Sequence, residues 1–434
     1  MSKFVIEGGY RLEGTIQASG NKNAALALLP ACLLTDEPVT LHNIPEIQDV
    51  RTTLDILDDL GVNVQRLNEG SWRIQAANIR KTELDQTLAG RIRASFVFSG
   101  PMLARAGRVT LPIPGGDVIG GRPLDTHVQG LRALGARIEL DEQRAVFHIS
   151  VDSLRAEGQL LQAEASVTGT ENTIMAAVFA QGETVIENAA SEPHVRDLCN
   201  FLNQLGAKIE GTGTNRIVIQ GVKQLHGGEF TIGADFMEVG SFVGAAAITG
   251  GRVRIERASP DDMRMIRLVY ARLGVIWEVE GDDIVVPEAQ PLAIEGALGG
   301  RIPEIKPMPW PGFPPDLMSI AVVIGTQSHG AVLLHDWMYE SRFFFVDKLK
   351  FMGARVVLCD PHRVLVQGPC SLYANPQGVT SPDIRAGMAM VLAALCAKGT
   401  STIHNIQQVD RGYERVEEKL QALGARIERV ADHG

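Results

Sequence analysis

The sequence predicts an α/β fold of two lobes, each built from three copies of one repeated unit. A short phrase, Leu-Gly-Val, Leu-Gly-Ala or Met-Gly-Ala, recurs six times, with its glycines at positions 61, 135, 206, 274, 353 and 424. Copies 68 to 79 residues apart account for the whole chain of 434 residues. Self-similarity at a roughly constant period is typical of repeated supersecondary units. Two kinds of helix and several short strands accompany each copy.

Each repeated glycine follows an amphipathic stretch and precedes a short strand. Segments 51–60, 195–205 and 413–423 have apolar residues at helical spacing, and strands such as 63–67 and 276–279 follow the glycines. Glycine adopts left-handed backbone conformations at little cost, so these glycines are predicted to end the helices.

A second kind of helix, rich in small and aliphatic residues, precedes each amphipathic one. These helices are apolar on nearly all sides and are therefore expected to be buried, while the amphipathic helices cover the outside. Each unit is predicted to contain a strand, a buried helix, a strand, a surface helix and two strands, and six units predict two lobes of three. The predicted buried helices span residues 23–34, 94–104, 172–180, 240–248, 316–324 and 385–397.

Composition and charge exclude several classes of protein. A net charge of −10 argues against binding of nucleic acid or of an anionic membrane, which a basic surface would favour. The five cysteines are scattered and form no CxxC pair, which predicts reduced thiols in a cytoplasmic protein. The N-terminal residues lack the apolar region of a signal peptide, and the longest apolar runs are too short to span a bilayer.

Cations stand at the starts of several predicted buried helices. Lys22, Arg93 and Arg385 begin the first, second and sixth of these helices. A helix N-terminus offers free N–H groups and a partial positive charge, so an added cation suits an anion there. The plainer interpretation of any one of them is a solvated cation near a helix cap. Three cations in equivalent repeat positions favour one anion-binding site.

Other segments carry groups suited to chemistry. Residues 112–123 place four glycines around Asp117 and before Arg122, which is typical of a loop that approaches a ligand closely. Prolines hold Asp316 at a helix start, and residues 166–172 would present hydroxyl and N–H groups to a diphosphate. The plainer alternatives are a surface turn and ordinary helix caps.

Taken together, these segments resemble the enolpyruvyl transferase family over nearly the whole chain. The most specific matches are residues 20–25, the Pro-Gly-Gly loop with Arg122 and Pro123, and residues 313–316, 381–386 and 410–415. The resemblance implies an inside-out α/β barrel of two lobes, each with three βαβαββ-type repeats. It implies one lobe at 21–232, with a mobile catalytic loop and the uridine and diphosphate sites, and a second at 1–20 and 233–434. The active site is expected in the cleft between them.

The resemblance is closest to the branch of the family whose acceptor is UDP-N-acetylglucosamine. It implies a transferase that moves the enolpyruvyl group of phosphoenolpyruvate to the sugar 3-hydroxyl and releases phosphate. This reaction would be the first committed step of peptidoglycan precursor synthesis, with a role in cell wall biogenesis, cell shape and cell division. No metal or organic cofactor is implied.

The family's functional residues carry over to positions that match its motifs. Asp117 corresponds to the acid that protonates phosphoenolpyruvate, and Asp316 to the base near the sugar hydroxyl. The implied catalytic residues are Asp117, Asp316, Lys22 and Arg411. The implied substrate-binding residues are Lys22, Asn23, Arg93, Arg122, Pro123, Leu124, Asp125, His127, Ser166, Val167, Thr168, Gly169, Asp316, Met338, Asp383, Arg385 and Arg411. Residues 166–169 would cradle the diphosphate, and 122–125 with His127 would line the uridine.

The sequence departs from the family pattern at four positions. Asp117 stands where most members have Cys, Phe236 where an Arg follows the preceding Asp, Pro315 where Thr is usual, and Ser341 where Asn is common. Alternative functions are therefore an enolpyruvyl transferase acting on UMP or shikimate 3-phosphate, or a non-catalytic sugar-nucleotide sensor. A DNA-clamp-like scaffold is a third, although the sequence shows no regular basic helix face.

Asp117 predicts resistance to fosfomycin. This epoxide inactivates family members by alkylating the loop thiol, and a carboxylate is a far weaker nucleophile toward an epoxide. The expected result is no time-dependent inactivation. A covalent adduct at Asp117, detected by mass spectrometry, would contradict it.

Overall fold

The computed structural model describes residues 2–116, 123–156, 158–375 and 377–432. Asp117 and Arg122 lie outside the described residues. The described chain forms two compact units. The N-terminal unit contains residues 20–116 and 123–233, and the C-terminal unit contains residues 2–19 and 234–432 apart from 376.

The described strands and helices alternate along the chain. The strands are β1 (Ser2–Glu7), β2 (Gly14–Gln17), β3 (Val39–His42), β4 (Asn63–Asn68), β5 (Ser71–Gln75), β6 (Arg108–Pro112), β7 (Arg137–Asp141), β8 (Val146–Ser150), β9 (Gln159–Leu161), β10 (Glu183–Glu187), β11 (Lys208–Glu210), β12 (Arg216–Gln220), β13 (Gly228–Thr231), β14 (Val253–Glu256), β15 (Glu278–Glu280), β16 (Asp283–Val286), β17 (Glu304–Ile305), β18 (Gly330–His335), β19 (Val356–Asp360), β20 (Arg363–Gly368), β21 (Val379–Thr380), β22 (Thr400–His404) and β23 (Arg426–Ala431). The α-helices are α1 (Lys22–Ala31), α2 (Gln48–Asp59), α3 (Gln86–Ala89), α4 (Ser99–Ala106), α5 (Asp125–Ala133), α6 (Val167–Ala177), α7 (Pro193–Gln204), α8 (Phe236–Thr249), α9 (Arg264–Arg272), α10 (Met318–Gln327), α11 (Val346–Phe351), α12 (Ile384–Cys396), α13 (Gln407–Asp410) and α14 (Val416–Ala422). Short 3₁₀ helices span Cys32–Leu34, Arg93–Phe98, Pro260–Met263 and Pro315–Leu317.

The sheets of the described chain share one plan. An outer strand runs parallel to its neighbour, and two antiparallel strands follow. The N-terminal unit has the orders β13-β3-β5-β4, β9-β10-β12-β11 and β6-β8-β7, and in the last of these a parallel bridge between Glu83 and Thr110 takes the place of the outer strand. The C-terminal unit has the orders β2-β14-β16-β15, β17-β18-β20-β19 and β21-β22-β1-β23. The repeated α/β architecture is confirmed.

Three strands pair with strands that are distant in sequence rather than with strands of the neighbouring repeat. Strand β2 immediately precedes α1, yet it pairs with β14 of the C-terminal unit, with Gly14 opposite Val253. Strand β13 precedes α8, yet it pairs with β3 of the N-terminal unit. Strand β1 lies between β22 and β23, which come from the far end of the chain. The sheets of the first, fourth and sixth copies therefore contain strands from segments distant in sequence.

The apolar helices are buried, as predicted. In the C-terminal unit α8, α10 and α12 pack against one another, and every residue from Phe236 to Ile248 is buried. In the N-terminal unit α1, α4 and α6, with the 3₁₀ helix Arg93–Phe98, form the corresponding core. None of the helices in the described part of the chain is long and apolar enough to cross a membrane.

Some helix and strand boundaries differ from the prediction. The last surface helix was expected from residue 413 but begins at Val416, because Arg415 has a φ of +44° and interrupts the helix. The second buried helix begins as the 3₁₀ helix Arg93–Phe98, and the fifth begins as Pro315–Leu317. The strand expected at 276–279 begins only at Glu278.

The repeated glycines end their helices in the predicted left-handed conformation. Their φ angles are 91°, 91°, 103°, 80°, 94° and 89° at Gly61, Gly135, Gly206, Gly274, Gly353 and Gly424. The amide of the residue after the glycine donates to the carbonyl five residues earlier, as Ala425 does to Leu420 at 2.9 Å. The glycine amide donates to the carbonyl three residues earlier, as Gly424 does to Gln421. This pair of bonds is the Schellman motif.

Two of these glycines differ in the room available for a side chain, so alanine substitutions at the two positions can be compared directly. A Cβ at Gly424 would have its nearest contact at 3.8 Å, whereas one at Gly274 would lie 2.2 Å from the amide nitrogen of Ala293. Gly424→Ala should lower the free energy of unfolding by about 1–2 kcal/mol through backbone strain alone. Gly274→Ala should lower it by about 3–4 kcal/mol, because overpacking against the main chain adds to that strain.

Urea denaturation of both variants measures the difference. Equal losses at the two positions would contradict the assigned clash at Gly274.

Candidate active site

Lys22 is the first residue of α1, and the turn before it is tightly packed. A Cβ at Gly20 would lie 1.6 Å from the carbonyl oxygen of Asn43, so this turn requires glycine. The side chain of Asn21 accepts a hydrogen bond from the amide of Ala24 at 3.0 Å and caps the helix. Lys22 is therefore held at a helix N-terminus, as the sequence predicts.

The ammonium of Lys22 has a buried partner. Its Nζ lies 2.8 Å from Oδ2 of Asp49, in the first turn of α2, and both side chains are buried. Asn23 follows in the first turn of α1 and is half-buried. The sequence reasoning missed Asp49, which looks like an ordinary acidic residue at the start of a surface helix.

Arg93 lies beside the chain that leads into and out of the glycine-rich loop. Its Nη2 donates to the carbonyl oxygen of Pro123 at 3.3 Å. A Cβ at Gly115 would lie 1.9 Å from the carbonyl oxygen of Gly90, and one at Gly116 would lie 3.0 Å from Cβ of Arg93. The last residues described before position 117 thus pack closely against the segment that carries Arg93.

His127, in the first turn of α5, forms a buried polar cluster with α6. Its Nε2 lies 2.9 Å from Oγ1 of Thr168, and its Nδ1 lies 3.1 Å from Nδ2 of Asn172. The edge of its ring meets Phe96, with centroids 5.0 Å apart. Burial, with a smaller contribution from the charge of Arg93, lowers the pKa of His127 to about 3. The imidazole is therefore neutral at physiological pH.

The start of α6 has the features of an anion-binding helix N-terminus. The hydroxyl of Ser166 accepts from the amide of Gly169 at 3.3 Å, so the plainer capping interpretation is also correct. A Cβ at Gly169 would lie 2.9 Å from Cγ2 of Thr126, so glycine lets the starts of α5 and α6 approach closely. Val167 and Thr168 are half-buried in the first turn of this helix, where backbone N–H groups have no carbonyl partner within the helix.

A cavity lies along α5. It has a volume of about 640 Å³ and is lined by Leu124, Asp125, Val128, Gln129, Arg132 and Phe147. Leu124 and Asp125 belong to the predicted uridine site. A cavity of this size fits the 300–1,000 Å³ range of small-molecule sites.

In the C-terminal unit, two arginines hold the carboxylate of Asp316. Nη2 of Arg342 donates to Oδ1 at 3.0 Å, and Nε of Arg385 donates to Oδ2 at 2.9 Å. Both guanidinium groups are buried, while 29% of the Asp316 side chain remains exposed. The carboxylate is therefore fixed in orientation but still accessible to a ligand.

Arg342 is backed by a second carboxylate that is fully buried. Its Nε lies 3.6 Å from Oδ2 of Asp336, whose other oxygen accepts from the amides of Met338 and Tyr339. Burial raises the pKa of Asp336, although the charge of Arg342 opposes the shift. Burial alone would lower the pKa of Arg342, but the carboxylates of Asp316, Asp383 and Asp336 raise it.

Arg385 is in the first turn of α12 and lies against an aromatic ring. Asp383 caps this helix by accepting from the amides of Arg385 and Ala386 at 2.8 and 2.9 Å. The guanidinium lies 5.2 Å from the ring centroid of Tyr413, whose hydroxyl is 2.9 Å from Oγ of Ser241. Burial would lower the pKa of Arg385, but Tyr413, Asp316 and Asp235 raise it, so the side chain stays charged.

Two of the residues that depart from the family pattern lie in or beside the segment that carries Asp316. Phe236 is buried, and its ring centroid is 5.4 Å from that of Trp310. Pro315 opens the 3₁₀ turn Pro315–Leu317. Pro315 fixes the backbone immediately before Asp316.

The chain matches the family model described as EPSP synthase (3-phosphoshikimate 1-carboxyvinyltransferase) over residues 6–420. The protein named UDP-N-acetylglucosamine 1-carboxyvinyltransferase from Treponema denticola is 50% identical, over 99% of either chain. Proteins of the same name are 51% identical in Bradyrhizobium diazoefficiens, over 99% of this chain and 98% of theirs, and 52% in Borreliella burgdorferi, over 99% of both. The chain belongs to the enolpyruvyl transferase family.

Solved structures confirm the enolpyruvyl transferase fold. The enolpyruvyl transferase NikO from Streptomyces tendae superposes with a TM-score of 0.88 at 22% identity, over 99% of both chains. EPSP synthase from Acinetobacter baumannii superposes with a TM-score of 0.75 at 18% identity, over 99% of this chain and 100% of that one. Each unit contains three buried helices and three sheets.

The structure of this enolpyruvyl transferase brings some predicted site residues into contact. Asp316 bonds to Arg385, Arg93 to Pro123, and His127 to Thr168. Lys22 pairs with a residue outside the predicted set, and Nη1 of Arg411 donates to Oε1 of Gln408 at 3.0 Å. Met338 contributes its amide to Asp336.

Sequence reasoning missed several groups in these contacts, which are Asp49, Asn172, Asp336, Arg342 and Tyr413. Arg342 follows Ser341, and Asn172 and Tyr413 stand in the segments 166–172 and 410–415 that the sequence singles out, but none of the five was predicted as a site residue. Among the described residues, no group of three or more His, Cys, Asp or Glu side chains could hold a metal ion.

The buried pair of Arg342 and Asp336 predicts a pH-dependent loss of stability. Arg342→Met should lower the free energy of unfolding by about 3–5 kcal/mol near neutral pH, because it leaves the Asp336 charge buried without a partner. Without Arg342 the pKa of Asp336 rises further, so the folded state holds a proton that the unfolded chain has released. Stability then recovers as pH falls, and urea unfolding at about pH 8 and about pH 5 should show a smaller deficit at the lower pH.

Two further variants complete this test. Arg342→Met with Asp336→Asn should be less destabilised than Arg342→Met alone. Arg254→Met, which removes a partly exposed arginine bonded to Asp283, should lose less than about 1 kcal/mol. A pH-independent deficit in Arg342→Met would contradict the ion pair.

Proposed function

We propose that this enolpyruvyl transferase moves the enolpyruvyl group of phosphoenolpyruvate to the 3-hydroxyl of UDP-N-acetylglucosamine and releases phosphate. The observation that carries the proposal is a sequence identity of 50–52%, over nearly the full length, to proteins whose name states this activity. The step is the first of peptidoglycan precursor synthesis. Cytoplasmic location, expected from the unpaired cysteines, stays a prediction.

The reaction needs cations for the phosphate and carboxylate of phosphoenolpyruvate. Lys22 and Arg93 stand at helix starts in the N-terminal unit, where backbone N–H groups add to their charge. We assign Arg122 and Arg411 to the same task. Arginine grips phosphate and carboxylate with two parallel hydrogen bonds, which suits both groups of this substrate.

The reaction also needs an acid and a base. In the addition step the sugar oxygen forms a bond to C2 of phosphoenolpyruvate, Asp117 donates a proton to C3, and Asp316 accepts the hydroxyl proton. The tetrahedral intermediate then loses phosphate from C2 while the Asp117 carboxylate left by the addition step takes back a proton from C3, which regenerates the double bond. The support for Asp316 is geometric, since two arginines fix a carboxylate that remains partly exposed.

The N-terminal unit offers groups for the nucleotide part of the acceptor. We assign the diphosphate to residues 166–169 and His127, and the uridine to residues 122–125. The cavity that reaches Leu124 and Asp125 supports this assignment. Asn23, Met338, Asp383 and Arg385 are assigned to the sugar and the intermediate.

Acceptor choice is tested by turnover. The protein is mixed with phosphoenolpyruvate and UDP-N-acetylglucosamine, and released phosphate and product mass are measured. Turnover is expected with this sugar nucleotide. Turnover with UMP or shikimate 3-phosphate instead would replace the proposed acceptor, and binding without any turnover would favour a sugar-nucleotide sensor.

Asp117→Asn separates catalysis from binding. The amide cannot donate a carboxyl proton to C3, so turnover should fall below detection. Affinity for UDP-N-acetylglucosamine, measured by titration calorimetry, should change less than about threefold, because the acid is assigned to phosphoenolpyruvate. Unchanged turnover would remove Asp117 from the acid role.

A further inference from the structure

Asn172 is a fully buried amide whose orientation is fixed by its neighbours. Its Oδ1 accepts from the amide of Gly100 at 2.6 Å, so Nδ2 is on the opposite side. Nδ2 lies 2.7 Å from Oγ of Ser99 and 3.1 Å from Nδ1 of His127. Ser99 uses its own proton to donate to the carbonyl of Phe96 at 2.7 Å, so its oxygen is free to accept.

This orientation decides which nitrogen of His127 carries the proton. A carboxamide nitrogen only donates, so Nδ1 of His127 must accept. A neutral imidazole carries one proton, and it is therefore on Nε2. The low pKa of His127 rules out the doubly protonated form near neutral pH.

The series of hydrogen bonds continues from His127 to Thr168 in the same donor-to-acceptor direction. Nε2 of His127 donates, so Oγ1 of Thr168 accepts this bond at 2.9 Å. The hydroxyl proton of Thr168 is then left over, and within the described residues no acceptor takes it. Thr168 lies in the first turn of α6 and is half-buried, at the point where the helix N-terminus favours an anion.

We infer that Asn172 is a positioning residue, which locks the Nε2–H tautomer of His127 and so leaves the Thr168 hydroxyl to donate to the diphosphate of the acceptor. Four consecutive hydrogen bonds run in one direction, from Gly100 and Asn172 through His127 to Thr168 and the ligand. The inference rests on the proposed function for the identity of the diphosphate. The tautomer itself does not depend on that function.

Nitrogen NMR of the intact protein labelled with ¹⁵N-histidine tests the tautomer directly. The His127 signals, assigned by their loss in His127→Gln, should show a protonated Nε2 and a bare Nδ1 between about pH 6 and pH 8. A protonated Nδ1 would overturn the inference. Because this measurement uses the unchanged chain, it does not depend on whether any variant folds.

Calorimetric titration with UDP tests the donation to the diphosphate. Thr168→Val should weaken UDP binding by about tenfold, while Thr168→Ser, which keeps the hydroxyl, should bind like the unchanged protein. Thr173→Val is the matched control, because Thr173 is a buried threonine of the same helix whose hydroxyl donates to Gly169. It should leave affinity unchanged.

Asn172→Leu tests whether the asparagine acts through Thr168. It should weaken UDP binding when Thr168 is present and have no further effect in the Thr168→Val background. An equal loss in both backgrounds would indicate that Asn172 only supports the helix and would overturn the positioning role. Failure of the unchanged protein to bind UDP would overturn the diphosphate contact.

The turnover assay keeps this inference distinct from the proposed function. Absence of turnover with UDP-N-acetylglucosamine, combined with the expected UDP pattern, would refute the reaction and leave the positioning role standing. Normal turnover, combined with a UDP affinity that Thr168→Val leaves unchanged, would refute the positioning role and leave the proposed reaction standing.

Discussion

The need to enclose helices that are apolar on every side governs the whole structure. Helices α8 and α12 bury nearly every residue, so a polar group on their flanks needs a buried partner, as Ser241 of α8 has in the hydroxyl of Tyr413. Each unit meets this demand by surrounding three such helices with three sheets. Polar side chains that are to contact a ligand are therefore favoured at the helix ends, because an unpaired charge within the helix flanks would be buried without water. Lys22, Arg385 and Ser166 all stand at such ends.

The two units differ in how they handle charge. In the C-terminal unit the two guanidinium groups beside Asp316 each interact with a second carboxylate, since Arg342 also faces Asp336 and the charge of Asp235 also acts on Arg385. Because both arginines bond to Asp316 and also interact with another carboxylate, the Asp316 carboxylate is held in place by a shared network of charges. The N-terminal unit instead pairs one lysine with one carboxylate and keeps its buried histidine neutral.

Local features were predictable from the sequence because each is encoded by a few adjacent residues. The glycine phrases specify left-handed caps, and the prolines before Asp316 specify a fixed turn. Partners distant in sequence were not predictable. Nothing in β2 points to β14, and nothing in Asp336 marks it as the counter-charge of Arg342. Asn172 lies in the segment 166–172 that the sequence singles out, but its buried contacts are with Gly100 and His127, which are distant in sequence.

The exchange of strands has a consequence for the order in which the chain folds. Residues 20–233 contain every strand of the N-terminal unit, so that unit has all its pairing partners before the remaining residues are synthesised. Strand β1 is made first, yet Phe4 pairs with Ile403, and its sheet cannot close until β22 and β23 leave the ribosome. Closing so long a loop is slow. Strand β1 therefore has neither of its partner strands until residues 400–431 are synthesised, and an unpaired strand edge can pair with other chains in the meantime.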